Sequence, residues 1–192
     1  MSRAAFLLAL TLIATACNPS LPEYVEARSH WSRSGENYRD LELTAKMHAT
    51  LLTTDFRQAY AAEYARLFSL TPAQRSEFEA VQMKEEAQHH AVILILATRE
   101  DSWNNLRPPA GIWRIRLANR RGDSVDLKEA RQLDHHNPTW QALYPALTFQ
   151  YRIWELRFPK RLDDDELLAP KGHHLDLFVA GAGGQFKFSW KL

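Results

Sequence analysis

Between Leu41 and Leu51 apolar and polar side chains alternate without a break: Leu41, Leu43, Ala45, Met47, Ala49 and Leu51 against Glu42, Thr44, Lys46, His48 and Thr50. A period of two over eleven residues reads as a strand with one dry and one wet face. From Ala91 to Ala97 the alternation disappears and every residue is apolar (Ala-Val-Ile-Leu-Ile-Leu-Ala). That run is far short of the roughly 20 residues needed to span a bilayer. Its β-branched content instead predicts a central strand buried on both faces. A strand hidden on both sides demands covering layers, and this requirement limits the architectures open to the chain.

Two helices are predicted between these strands. Thr53 or Thr54 caps a helix through Phe68 in which Phe56, Tyr60, Tyr64 and Leu67 share a face. Thr71-Pro72-Ala73-Gln74 then combines an N-cap, a proline at the first helical position and a capping-box glutamine, starting a helix to about Gln88 that should bury Phe78, Val81 and Met83. After the loop around Glu100–Gly111, Ile112–Asn119 and Ser124–Leu127 form a hairpin turned at Arg121-Gly122-Asp123. Asn137-Pro138 to Leu143 makes one helical turn, and Phe149–Phe158 is an aromatic strand. His174–Val179 and Gln185–Leu192 flank the glycine-rich turn at Gly181–Gly184. The expected fold class is mainly β with a helical insertion at about 54–88. Its form is an antiparallel sandwich that resembles the immunoglobulin-like fold, with two helices between the first and second of these strands. An α+β mixed sheet with helices on one side is the alternative.

The chain opens differently. Arg3 is followed by an apolar stretch, Ala4–Ile13, then by the small residues Ala14-Thr15-Ala16 and the sole cysteine, Cys17. The segment resembles the signal and lipobox of bacterial lipoproteins, although alanine stands at position 14 where that family usually has leucine. The resemblance implies cleavage before Cys17, acylation of its thiol and, with Asn18 next, an outer-membrane destination facing the periplasm. Ala14-Thr15-Ala16 also reads as an ordinary A-x-A cleavage site, which would cut the same bond and leave a free thiol. A lone thiol in an oxidising compartment has no internal partner, which favours acylation. Residues 1–16 are thus a signal peptide. Residues 17–40 read as the lipidated cysteine and a Pro- and Ser-bearing tether reaching at most about 70 Å, and 41–192 as one β-rich domain.

Removing residues 1–16 takes Arg3 and no acid from 24 basic and 23 acidic side chains, so the mature chain is formally neutral. This balance argues against a nucleic-acid partner and leaves membrane attachment to the acyl chains at Cys17. The other partner class expected is an envelope protein, and no cofactor is expected.

Eight histidines include the adjacent pairs His89-His90, His135-His136 and His173-His174. Neighbouring strand residues point to opposite faces, so a copper or zinc site would need convergence of single imidazoles, the candidates being His48, His90, His135 and His174. Asp163-Asp164-Asp165-Glu166 lacks the alternate spacing and glycine of a calcium loop. Gly181–Gly184 precedes a strand and so lacks the helix amides of a phosphate loop. There is no G-x-S-x-G and no S-x-x-K. The sequence therefore reads as a non-enzymatic, lipid-anchored binding or scaffolding module. Histidine-based metal binding is the first alternative and a periplasmic hydrolase the second. Cys17→Ser is expected to move the protein from the membrane to the soluble periplasmic fraction, read by fractionation and immunoblotting; continued membrane association would refute the anchor.

Overall fold

The structure is a computed structural model, and it describes residues 19–108, 111–162 and 166–192. Cys17 and the acidic residues 163–165 lie outside the described residues. Helix α1 (Pro22–Trp31) runs into strand β1 (Ser32–Arg39), followed by β2 (Glu42–Leu51), α2 (Thr54–Leu67), α3 (Pro72–Gln88) and β3 (His89–Thr98). Then come β4 (Trp113–Asn119), β5 (Ser124–Asp126), β6 (Glu129–Leu133), α4 (Pro138–Leu143), β7 (Arg152–Pro159), β8 (His174–Gly181) and β9 (Gly184–Lys191). Among the described residues the fold is mainly antiparallel β with two sheets and four helices. One sheet has the order β1-β2-β3-β7-β6 and the other β5-β4-β8-β9.

Register explains the layering. Met47 pairs with Leu96, Leu94 with Trp154 and Val92 with Leu156, so these side chains share one face of the five-stranded sheet. That face looks onto β9: a Cβ on Gly35, which pairs with Met47, would sit 3.1 Å from a ring carbon of Phe186. One continuous core joins this face to Ile115 and Leu117 of β4, Leu175, Leu177 and Val179 of β8, and Phe186, Phe188 and Trp190 of β9. The sheets also meet through the chain itself. Leu127 donates its N–H to Ile115 O (3.1 Å) in one sheet, and Lys128 donates to Arg157 O (3.0 Å) in the other. The segment from β5 to β6 thus changes sheets between adjacent residues.

The opposite face of the five-stranded sheet carries the other half of β3. Ile93 and Ile95 are 4% and 2% exposed, covered not by a second sheet but by the helical elements. Every pairing between the described strands is antiparallel. The start signals at the helices are present. Thr53 Oγ1 accepts from Phe56 N, and Thr71 and Gln74 form the reciprocal capping box. Helix α3 departs from expectation, because none of its residues is buried and Val81 is 51% exposed. It leans on α2 through rings, with Phe78 stacked on Tyr64 at 4.4 Å and tilted against Tyr60 at 5.8 Å. No helix among the described residues is long and apolar enough to cross a membrane.

Three expectations need correction. The tether proposed for 17–40 is largely folded, since Pro22–Arg39 forms α1 and β1. Tyr24 and Trp31, one heptad apart and therefore on one side of α1, are buried. The Tyr24 hydroxyl donates to Leu143 O at 2.7 Å, and Trp31 O accepts from Trp190 Nε1 at 2.8 Å. Two aromatics in a ten-residue segment whose other apolar members are only Pro22, Val25 and Ala27 are too sparse a pattern to read as an amphipathic helix, yet each fills a fixed place in the core. Second, Leu41 is not part of the dry face. It and Asp40 have φ of 67° and 52°, which makes a hairpin turn, and Leu41 is 98% exposed. Third, the expected strands omit β6, which reads Glu-Ala-Arg-Gln-Leu, has no strand signal of its own and is ordered by pairing with β7. Tyr24→Ala is expected to cost about 3–5 kcal/mol and Tyr24→Phe roughly 1 kcal/mol in urea unfolding. An unstructured tether would give no change for either.

Candidate functional site

Beneath the α2–α3 pair, on the helix-covered face of the five-stranded sheet, lies a cleft of about 200 Å³. Ile93 forms part of its sheet side, Phe56 and Tyr60 of α2 and Trp140 and Tyr144 of the α4 region supply rings, and Val81, Gln82 and Glu85 of α3 border it. Into this apolar setting the chain places charge. Arg57 is 3% exposed and Glu155 is 8% exposed, and both line the cleft with Arg131 and Arg157. Larger hollows of about 560 and 640 Å³ lie against loops, one by Asn119 and His174 and one by Thr98 and Phe149. None of the ionisable side chains lining either hollow is buried.

The carboxylates of the cleft are already engaged. Glu155 Oε2 accepts from Arg131, and its Oε1 accepts from Arg157 Nε at 3.1 Å. Arg157 also faces Glu85 at 3.2 Å. Burial alone would raise the Glu155 carboxyl, but the Arg131 hydrogen bond and the charges of both arginines hold it below the ordinary carboxylate range. Glu155 is therefore ionised and saturated.

Arg57 is built differently. Its Nη1 donates to Gln82 Oε1 at 2.7 Å and its Nε to Leu52 O at 3.4 Å, and among the described residues no carboxylate lies within ion-pair distance. Burial lowers its pKa, while Glu155 and Glu85 act on it only through space in the other direction. A guanidinium does not give up its proton at any ordinary pH, so this is a desolvated cation whose charge is compensated at a distance. Burial also pushes the Tyr60 and Tyr144 phenols up, so both remain hydroxyl donors. Neither hydroxyl has a hydrogen-bond partner among the described residues. The sealed atoms that lack partners are elsewhere, at Arg66 Nη1, His89 Nδ1 and Trp154 Nε1.

The histidines do not converge. His48 borders a neighbouring hollow of about 300 Å³ with Thr50, Ile95 and Tyr144, its ring 5.8 Å from that of Tyr151. His90 lines a separate hollow with Glu86 and Lys160, which pair at 2.5 Å. His135 packs on His136 at 3.9 Å and meets Arg152 Nη1 at 3.3 Å, while His174 borders the hollow by Asn119. Among the described residues no three His, Cys, Asp or Glu side chains are placed to hold a metal ion, because the candidates stand on separate strands and loops. No serine or threonine hydroxyl is hydrogen-bonded to an imidazole among the described residues, so the grouping a triad hydrolase requires is not formed there.

Sequence reasoning missed Arg57, Gln82, Tyr144 and Glu155 as a group. The available signals were Arg57 on the row Arg57, Ala61, Ala65, which is otherwise small and buried, and Glu155 between Trp154 and Leu156. Set beside known proteins, the chain matches no family model, no curated protein and no solved structure.

His90 supplies a pH test. Burial, with a smaller push from Lys160, lowers its pKa from 6.5 to about 4. Between those values the unfolded chain binds the proton and the folded one does not, so the contribution of His90 is full above pH 6.5 and declines as pH falls towards 4. His90→Asn is expected to flatten that part of the stability profile in urea titrations at successive pH values; an unchanged slope would contradict it.

Proposed function

We propose that this protein is an outer-membrane lipoprotein, anchored through acylated Cys17, whose periplasmic domain binds a small ligand in the cleft beneath α2 and α3. The observation that carries the binding reading is Arg57: a buried cation without an ion-pair partner among the described residues, in a cleft walled by rings. Structural ion pairs in this molecule are closed on themselves, as Glu155 is with Arg131 and Arg157. The arrangement at Arg57 retains capacity for a further group. The anchor is supported by the apolar stretch, the small residues before Cys17 and the neutral mature chain. Folding that begins at Pro22 would hold the domain close to the bilayer, since four intervening residues extend to no more than about 15–20 Å.

The immunoglobulin-like description of the two sheets belongs to this proposal too, supported by antiparallel pairing and a shared core. A non-enzymatic role is supported by what fills the cleft: arginines, saturated carboxylates and high-pKa phenols, with no activated nucleophile beside a base. An envelope protein remains the macromolecular partner proposed for the outer surface. A saturation-transfer NMR screen of fragments of about ten to fifteen heavy atoms, mixed in charge, should give hits that shift the Trp140 indole resonance. No hit at that resonance would overturn the binding reading.

A further inference from the structure

We infer that the cleft beneath α2 and α3 is selective for a small organic carboxylate with an apolar or aromatic body, held by Arg57 and the donors around it. The inference rests on the binding reading above and adds the chemical class of the ligand.

The argument is one of hydrogen-bond capacity. Acceptors of the cleft are engaged within it: Glu155 by Arg131 and Arg157, one oxygen of Glu85 by Arg157, and Leu52 O by Arg57. Donors stand beside them. Arg57 uses Nη1 and Nε, and no partner stands at Nη2 among the described residues. Gln82 spends its carbonyl oxygen on Arg57, so its amide hydrogens are left to give. The Tyr60 and Tyr144 hydroxyls are protonated and each senses the Arg57 charge, which places the three groups within electrostatic reach of one another. A buried site that offers donors and one positive charge without an ion-pair partner is matched by a ligand that offers acceptors and one negative charge. A carboxylate fits Arg57 as a planar partner, while a dianionic phosphate would exceed the single charge available there.

The walls define the rest of the molecule. Phe56, Tyr60, Trp140, Tyr144 and Ile93 present rings and an aliphatic floor, on which a ligand body gains by burial and ring contact. A volume of about 200 Å³ admits a compact molecule and excludes a long acyl chain or a sugar polymer. Val81, exposed at the border of the cleft, marks an edge through which such a molecule enters.

The test uses the mature acylated protein in lipid nanodiscs, titrated calorimetrically with 3-phenylpropionate, its amide and the corresponding amine, with empty nanodiscs as blank. The carboxylate is expected to bind one to one, the amide about tenfold or more weakly and the amine not at all up to about 10 mM. Arg57→Met is expected to lose at least about tenfold in carboxylate affinity. Because removing a buried arginine can disturb folding, Tyr60→Phe and Tyr144→Phe provide a second arm. Each deletes one donor and keeps its ring, and each should weaken the carboxylate about three- to tenfold without changing the amide as much. Amide or amine binding as tight as the carboxylate, or carboxylate binding unaffected in all three variants, overturns the inference. Fragment hits at Trp140 alongside such a result would leave the binding reading standing, whereas an empty fragment screen removes both.

Discussion

Concealing both faces of β3 is the constraint from which the rest of this structure follows. Val92, Leu94 and Leu96 point one way and Ile93 and Ile95 the other, and all are at most 4% exposed. Each fully buried aliphatic side chain contributes about 1.5–3 kcal/mol against leaving it in water, so neither face can stay open. The two faces are covered by different means. One meets the second sheet and its rings, Phe186, Phe188 and Trp190; the other meets helices, which are round and leave space where they cross a sheet. The cleft is that space.

Charge then settles where the covering is incomplete. Placing Arg57 and Glu155 beneath the helices costs desolvation that a purely apolar cover would avoid. For Glu155 the cost is offset locally by two arginines, and the pair arrangement ties β6 to β7. Arg57 is offset through Gln82, which also ties α2 to α3. Helix α3 buries no residue and is held by the aromatic contacts of Phe78 and by ion pairs from Glu85 and Glu86 to Arg157 and Lys160. It is therefore the element of the cover with the least apolar packing, and low local burial is the physical basis of local opening. The cleft thus lies under a roof helix held by polar and ring contacts and not by a buried face.

Much of the fold was legible. The run Ala91–Ala97 announces a strand buried on both faces because nothing in it requires water, and the caps at Thr53 and Thr71 announce helix starts because a side-chain oxygen satisfies end amides by local geometry alone. Segments stabilised by neighbours were not legible. Tyr24 and Trp31 look like two aromatics in a tether, and β6 looks like a polar loop, since the groups that order them, Leu143, Trp190 and β7, lie about 20 to 160 positions away. The site was less legible still. Arg57 is indistinguishable by sequence from any arginine on an amphipathic helix, and the histidine pairs drew the eye although adjacency on a strand separates side chains.

By itself the sequence determined the alternation of β2 from Ala45 to Ala49, the double burial of β3 and the helix starts, because each depends on period or local capping over a few residues. Only the tertiary structure decided that α1 and β1 belong to the domain, that His48, His90, His135 and His174 stand apart, and that Arg57, Gln82, Tyr60 and Tyr144 share one cleft. Those outcomes depend on which surfaces meet, and a buried charge acquires its meaning from groups brought beside it by folding.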